Sequence, residues 1–178
     1  MYRYRLYVPA TDFADTGLRP ELLSALSELG YEEPTDIQAE TLPPLMAGRD
    51  MLGQAATGTG KTAAFALPML NNLGRASKRR VLTGLVLVPT RELALQVGEA
   101  FVRYGKHLDA RFVTVYGGAP VRQQIEALKR GVDIVVATPG RALDLIERGS
   151  LNLSQVRTVV LDEADEMLDM GFIDEIEA

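Results

Sequence analysis

The stretch Ala55-Ala56-Thr57-Gly58-Thr59-Gly60-Lys61-Thr62 decides how this sequence is interpreted. It follows the short segment Asp50-Met51-Leu52-Gly53 and precedes an apolar run of helix-forming residues. A strand, a glycine-rich loop and a helix N-terminus in that order form a cradle for phosphate, because glycines let backbone N–H groups converge on an anion. Lys61 adds a positive charge for the outer phosphates, and the Thr62 hydroxyl can bind Mg²⁺.

A second motif, which is acidic, lies far downstream of the glycine-rich loop. The apolar segment Val156–Leu161 ends in Asp162-Glu163-Ala164-Asp165. A carboxylate at the carboxyl end of a strand can hold Mg²⁺, usually through water, and the next carboxylate can polarise an attacking water molecule. Taken alone, this pattern is equally typical of a buried strand with a solvated acidic end. Beside Lys61 and Thr62, it favours a metal role for Asp162 and a role for Glu163 in polarising water.

Length and composition limit the classes of protein that fit. The 178 residues are 47% hydrophobic and 24% charged, which predicts one globular domain over residues 1–178. The net charge of −5 gives no overall basic field, so any contact with nucleic acid must come from a local site. No cysteine is present, which excludes disulfides and thiolate metal sites. No apolar run is long enough for a membrane span or signal peptide, so we expect a cytoplasmic protein without a membrane partner.

The order of the predicted elements indicates the fold class. Strands are expected near 50–54, 83–88, 111–116, 132–137 and 156–161. Helices are expected near 19–29, 35–47, 61–73, 91–106, 120–130, 140–148 and 172–177. Near-continuous Val, Leu and Ile runs are typical of parallel strands that are buried on both faces. This alternation predicts an α/β fold with a doubly wound, mainly parallel sheet, whose strand C-termini carry the functional loops.

Six short motifs in this order resemble those of the DEAD-box ATP-dependent RNA helicases, and the bacterial members in particular. Asp162-Glu163-Ala164-Asp165 is the family's signature, and Ala55–Thr62 resembles its motif I, with Ala55 in place of the glycine of the general phosphate-loop pattern. The Q motif is matched at about 11–39, by Phe13 and Gly30–Gln38. The remaining matches are Pro89–Ala94 for motif Ia, Gly117-Gly118 for the Gly-Gly turn, and Thr138–Arg141 for motif Ib.

The resemblance implies a RecA-like, P-loop ATP-binding domain with assigned site residues. ATP and Mg²⁺ are the implied cofactors, with Thr62 and Asp162 at the metal and Asp165 in coupling between domains. Glu163, Lys61 and Asp162 are the implied catalytic residues. The implied nucleotide-binding residues are Phe13, Tyr31, Gln38, Ala56, Thr57, Gly58, Thr59, Gly60, Lys61 and Thr62.

The residues themselves support the adenine-binding part of this assignment only in outline. The Gln38 amide offers both a donor and an acceptor, which match the N6/N7 edge of adenine. Tyr31 offers a flat apolar face for the base. The alternatives are a helix-surface amide for Gln38 and core packing for Tyr31 and Phe13.

A set of loops is implied to bind single-stranded RNA through its sugar-phosphate backbone. Helix-start N–H groups, hydroxyls and guanidinium groups are good phosphate ligands, and such contacts carry little base information. Taken one at a time, the same loops are equally typical of plain strand-to-helix turns. The implied RNA-binding residues are Pro89, Thr90, Arg91, Gly117, Gly118, Thr138, Pro139, Gly140 and Arg141.

The resemblance also implies parts that this sequence does not contain. The family has a second helicase domain and a Ser-Ala-Thr motif after the DEAD motif, so we expect a chain truncated after the DEAD strand and helix. We also expect a missing central strand beside the strand of Asp162. Two other functions remain open from the residues: a non-catalytic RNA- or protein-binding module of the same fold, and another P-loop enzyme such as a small-molecule kinase. The oligomeric state stays open.

Overall fold

The computed structural model describes residues 12–56, 58–74 and 80–178. The chain divides into two compact units, Met1–Asn72 and Leu73–Ala178, which we describe separately. The predicted site residue Thr57 lies outside the described residues. Within the described ranges, no helix combines the length and apolar character needed to cross a membrane.

The first unit consists of helices packed around aliphatic side chains. A short 3-10 helix at Phe13–Thr16 precedes α1 (Pro20–Glu28), α2 (Asp36–Met46) and α3 (Lys61–Asn71). Helix α1 begins with proline, which suits the first helical position because the N–H that proline lacks would have no partner there. The Arg19 N–H donates to Asn71 Oδ1 at 2.8 Å and so joins the start of α1 to the end of α3. The most deeply buried side chains are Leu22, Leu26, Leu42, Leu67 and Leu70.

The strand predicted at 50–54 is wrong for this structure. These residues have no regular secondary structure, and they are mostly exposed, with Leu52 99% exposed. A strand exists only when a neighbouring strand pairs with its backbone groups. Among the described residues, no strand pairs with this segment.

The second unit contains a four-stranded parallel sheet. Its strands are β1 (Gly84–Leu87), β2 (Phe112–Val115), β3 (Ile134–Ala137) and β4 (Thr158–Leu161), in the spatial order β2-β3-β1-β4. Its helices are α4 (Arg91–Tyr104), α5 (Val121–Lys129), α6 (Pro139–Glu147), α7 (Ala164–Asp169) and α8 (Ile173–Glu177). The α/β class and the parallel sheet are confirmed. Helix α7 was not among the predicted elements.

The two faces of this sheet are covered by different helices. Helix α4 packs on one face, where its Gly98 lies against Thr114 and its Phe101 ring lies 5.6 Å from the Phe112 ring. On the other face, side chains from α5 to α8 surround the inward residues of β1, β2 and β3. This second cluster is centred on Leu85, Leu87, Val115, Val135, Ala137, Leu145 and Met167.

Strand β4 is only partly covered. Val159 and Leu161 are 57% and 44% exposed, although β4 is as apolar as the central strands. The strand pairs with β1 on one side, and it stands at the end of the sheet within the described residues. An apolar strand at an exposed edge is a surface that other polypeptides can pair with.

Candidate functional site

The glycine-rich loop ends at the N-terminus of α3. Gly60 is the residue before this helix and has a left-handed backbone with φ of 91°. The Thr59 hydroxyl donates to the Ala56 carbonyl at 2.7 Å, which closes the loop on itself. Lys61 and Thr62 are half-buried in the first turn of α3. Exposed N–H groups of a first helical turn, a lysine and a hydroxyl together form a site that can bind a phosphate chain.

The start of α2 is hydrogen-bonded to this loop. The Thr35 hydroxyl donates to the Thr59 carbonyl at 2.8 Å, and Gln38 Nε2 donates to the Gly60 carbonyl at 3.1 Å. Gln38 Oε1 in turn accepts from the Thr35 N–H at 3.1 Å. The segment predicted to recognise the base therefore also fixes the backbone that is predicted to hold the phosphates. The role of Thr35 was missed, although a threonine before a helix three residues ahead of a glutamine is a recognisable capping pattern.

Gln38, which is predicted to contact adenine, is buried in this structure. Its side chain is 1% exposed, and each end of its amide already has one protein partner. One N–H hydrogen and one lone pair remain for a base. Of the two predicted aromatic residues, Tyr31 is 37% exposed whereas Phe13 is 3% exposed and lies in the core of the first unit. The base-binding role of Gln38, Tyr31 and Phe13 thus stays a prediction. Of the two aromatic residues, Tyr31 is the one whose side chain is exposed enough to contact a base.

We predict that Gly60→Ala destabilises the chain more than Gly58→Ala. Both glycines have positive φ, so either alanine costs about 1–2 kcal/mol in conformation. A Cβ at Gly60 would lie 2.3 Å from Gln38 Nε2, whereas a Cβ at Gly58 would meet open space. Displacing the buried Gln38 amide costs about 1–3 kcal/mol more. Urea unfolding followed by circular dichroism measures both variants, and equal losses of stability would show that Gln38 does not restrain the loop.

In the second unit, the carboxyl ends of all four strands lie at one edge of the sheet. The register pairs Leu87 with Ala137 and with Leu161, and Ala137 with Val115. The segments that follow these residues therefore leave the sheet side by side. They contain Thr90 and Arg91 after β1, Gly117 and Gly118 after β2, Thr138 to Arg141 after β3, and Asp162 and Glu163 after β4.

The acidic motif occupies the turn between β4 and α7. Asp162 is 9% exposed, and its N–H donates to the Leu87 carbonyl at 3.0 Å, which continues the β1–β4 ladder. Glu163 is half-buried and has φ of 52° and ψ of 50°. It is the only non-glycine residue with positive φ in the described part of the chain. A left-handed glutamate is strained, and strain of this kind is typical of functional turns. Asp165 is exposed on α7.

The predicted RNA-binding loops differ in how they present their polar groups. Thr90 precedes α4 and its hydroxyl accepts from the Leu93 N–H at 3.2 Å, whereas Thr138 precedes α6 without a side-chain cap. The guanidinium carbon of Arg91 lies 4.9 Å from the centre of the Tyr116 ring. Gly117, Gly118 and Gly140 are exposed, while Pro139 is buried.

Arg141 is engaged inside the protein. Its Nη1 donates to the Ala119 carbonyl at 3.2 Å and to Gln124 Oε1 at 2.9 Å, and its side chain is only 14% exposed. Gln124 Nε2 donates to the Tyr116 carbonyl at 3.1 Å. Arg141 and Gln124 therefore hold both ends of the exposed Gly117-Gly118 turn. Gln124 was not predicted from the sequence as a functional residue. The feature that could have identified it is its position as a polar residue on the apolar side of α5, beside Val121 and Ile125.

Metal-binding groups are sparse in the described residues. No group of three or more His, Cys, Asp or Glu side chains there is arranged to hold a metal ion. Mg²⁺ at nucleotide sites is commonly bound by one or two protein oxygens together with phosphates and water. A single carboxylate such as Asp162 is a suitable donor for an ion of that kind.

Comparisons with known proteins agree with the motifs. The profile described as DEAD/DEAH box helicase matches residues 35–178. The chain is 56% identical over 169 residues to the ATP-dependent RNA helicase DeaD of Mycobacterium tuberculosis. The aligned region covers 94% of this chain and 30% of that protein. It is 52% identical over 168 residues to the DEAD-box ATP-dependent RNA helicase CshA of Bacillus cereus, covering 94% of the chain and 32% of that protein.

A solved structure shares the fold. The crystal structure of a DEAD box protein from the hyperthermophile Methanococcus jannaschii superimposes with a TM-score of 0.90 at 41% identity, over 96% of this chain and 46% of that one. The chain thus spans about a third of the length of the curated relatives. The fold, the motif order and the profile match together show that this chain belongs to the DEAD/DEAH box helicase family.

Proposed function

We propose that this chain is the ATP-binding, N-terminal domain of an ATP-dependent RNA helicase, which binds ATP-Mg²⁺ and the backbone of single-stranded RNA to remodel RNA duplexes. The observation that carries the proposal is the bonding of Thr35 and Gln38 to the Thr59 and Gly60 carbonyls. This contact joins the segment that is predicted to recognise the base to the loop that is predicted to hold the phosphates. The helicase names of the relatives support the same assignment. A cytoplasmic location is part of the proposal.

Each nucleotide-site residue has a specific task in this proposal. The backbone of residues 56–60 and the Lys61 ammonium group bind the phosphates. Thr62 and Asp162 would hold Mg²⁺, which supplies charge neutralisation at the phosphates when bound. Glu163 orients the attacking water and accepts its proton. Asp165 links this domain to its neighbours.

The three segments that follow β1, β2 and β3 supply the RNA-binding surface in this proposal. Helix-start N–H groups after Thr90 and Thr138 and the exposed Gly117-Gly118 turn contact phosphates. Arg91 adds positive charge beside Tyr116, while Arg141 acts by holding the turn. Since none of these groups addresses a base edge, binding is expected to be nearly independent of RNA sequence and to weaken with salt.

The competing assignment is a non-catalytic RNA- or protein-binding module with the same fold. Lys61 and Glu163 favour catalysis, because a module that only binds RNA has no need of either residue. The small-molecule kinase alternative is disfavoured by the profile match over residues 35–178. The assay that separates these functions uses a chimera in which residues 1–178 replace the matching part of the M. tuberculosis relative, called here the DeaD chimera. We expect RNA-stimulated ATP hydrolysis by this chimera.

Adenine nucleotides are predicted to bind in preference to guanine nucleotides. The remaining donor and acceptor of Gln38 match N6/N7 of adenine and mismatch O6/N7 of guanine, a difference of about 1–3 kcal/mol. The test compares ADP with GDP on the unaltered chain by isothermal titration calorimetry. Changing the ligand is preferable to changing Gln38, because a Gln38 variant would also release the Gly60 carbonyl. Equal dissociation constants for the two nucleotides would remove Gln38 from base recognition.

Gln124→Leu is predicted to weaken RNA binding while leaving nucleotide binding intact. Leucine has a similar volume but cannot bond the Tyr116 carbonyl or Arg141, so the Gly117-Gly118 turn loses its support. We expect a loss of roughly tenfold in RNA affinity, because the free-energy cost of leaving one buried polar group without its hydrogen bond is of about this size. Anisotropy of a labelled single-stranded RNA on the DeaD chimera measures the effect. Gln123→Leu, on the exposed side of the same helix, is the matched control. Equal RNA affinities for the two variants would contradict the prediction.

A further inference from the structure

The second unit has a groove at the edge of the sheet where the strands begin, opposite to the predicted RNA-binding loops. Its volume is about 640 Å³, which is within the range of ligand-binding pockets. The groove is bordered by the end of α4, the start of β2 and the end of α5. Its lining residues are Val102, Gly105, Lys106, Leu108, Ala110, Arg111, Phe112, Val113, Ala127, Arg130, Gly131 and Val132.

The groove reaches β2 at the start of the strand, through Arg111, Phe112 and Val113. Helix α4 covers one face of β2 and α5 covers the other, and the groove touches residues at the ends of both helices. Within residues 80–178, β3 is the only strand that pairs with β2. Among these residues, the outer edge of β2 therefore has no strand partner.

The register shows which backbone groups face that open edge. The carbonyls of Arg111 and Val115 accept from the N–H groups of Ile134 and Thr138, so they point towards β3. Alternate residues of a strand direct their backbone groups to opposite sides. Phe112 and Thr114 consequently direct their N–H and carbonyl groups away from β3, and Phe112 also lines the groove.

The charge of the groove is positive. Among its lining residues, Lys106, Arg111 and Arg130 are cationic, and none is acidic. The nearby carboxylates of Asp109 and Asp133 both pair with Arg80, at 2.6 Å for Asp133. These two acids are therefore engaged with a cation outside the groove. The chain as a whole carries a net charge of −5, so this local excess of positive charge is a distinct feature.

We propose that this groove is a docking site for an acidic, extended segment of a partner protein, which adds to β2 as a further strand. The outward-directed groups of Phe112 and Thr114 would pair with its backbone, as in other cases of strand addition. Its acidic side chains would lie near Lys106, Arg111 and Arg130, and its apolar side chains would contact Val102 and Leu108. The proposal does not depend on ATP binding or on the RNA-binding roles assigned to the loops at the other end of the strands.

Two observations favour a peptide over RNA as the occupant. The open backbone edge of a strand is matched by another extended polypeptide, which offers alternating donors and acceptors. Single-stranded nucleic acid is bound by basic grooves that also offer aromatic faces for stacking. The aromatic side chain in this groove, Phe112, is instead packed against Phe101 and the backbone of Gly105.

The test uses a fluorescein-labelled peptide of alternating Glu and Val residues and the 178-residue chain, with folding checked by circular dichroism. We expect fluorescence anisotropy to show saturable binding of this peptide. Its affinity should fall at least roughly tenfold when Lys replaces Glu in the peptide, or when alternate backbone nitrogens of the peptide are methylated. The methylated peptide keeps the charge but cannot pair as a strand. The double variant Lys106→Glu/Arg130→Glu should lose binding similarly. The matched control is Arg103→Glu/Lys129→Glu, which changes the same charges on α4 and α5 outside the groove.

Several results would overturn the proposal. Absence of peptide binding, or equal binding of the methylated peptide, would exclude strand addition. Binding of a ten-nucleotide uridine RNA that is lost in Lys106→Glu/Arg130→Glu, without peptide binding, would assign the groove to RNA. A dimer seen by sedimentation and abolished by the same variant would make a second copy of this chain the occupant.

Discussion

In the DeaD chimera, Glu163→Gln is expected to reduce ATP turnover by about 10²–10⁴-fold, which is the usual contribution of a general base. The glutamine side chain has the same shape and can hold a water molecule, but it cannot accept the proton from that water. Binding of ATP and RNA should stay within a few-fold of the unaltered protein, because Glu163 is assigned no contact to either ligand's phosphates. Single-turnover hydrolysis with radiolabelled ATP measures the chemical step separately from binding.

The turn that carries Glu163 also provides a control for this experiment. Glu166→Gln removes the same charge from an exposed position on α7, three residues further along the chain, where no role is assigned. This variant should keep normal turnover. If Glu163→Gln hydrolyses ATP as fast as Glu166→Gln, then Glu163 is not the base and its left-handed backbone serves another purpose.

The second large effect is expected for residues 1–178 tested on their own. Relative to the DeaD chimera, we predict ATP turnover that is about 10³–10⁵-fold slower, and no ATP-dependent separation of RNA duplexes. An arginine that stabilises the γ-phosphate in the transition state contributes about this much to the rate of phosphoryl transfer. The resemblance to the family places such arginines in the second helicase domain, which is not within these 178 residues. Unwinding further requires two bodies that close on the RNA.

The measurement pairs ATPase and duplex-separation assays on the 178-residue chain and on the chimera, at equal concentrations. Nucleotide binding by the isolated chain is the control, since it shows that the phosphate loop is folded. The half-exposed Val159 and Leu161 on β4 make self-association of the isolated chain a second expected outcome, measurable by light scattering. RNA-stimulated turnover by residues 1–178 at the rate of the chimera would show that no group outside them is needed.

Features that depend on neighbouring residues could be predicted from the sequence. The glycine-rich loop before α3, the acidic turn after β4 and the order of strands and helices follow from spacing and hydrophobic periodicity, which are local properties. The four strands of the sheet were each predicted within two residues of their observed limits. The strand predicted at 50–54 failed because pairing with a partner strand, which its own residues do not specify, is what makes a strand.

The sequence by itself determined the family, the α/β class and the positions of the glycine-rich and acidic motifs. Only the tertiary structure decided which of these side chains are already engaged within the protein. Gln38 bonds the carbonyl of Gly60, and Arg141 bonds Ala119 and Gln124. Phe13 enters the core while Tyr31 stays half-exposed. These outcomes depend on atoms that are distant in sequence, because burial and hydrogen-bond partners are set by how helices and strands pack rather than by the identity of adjacent residues.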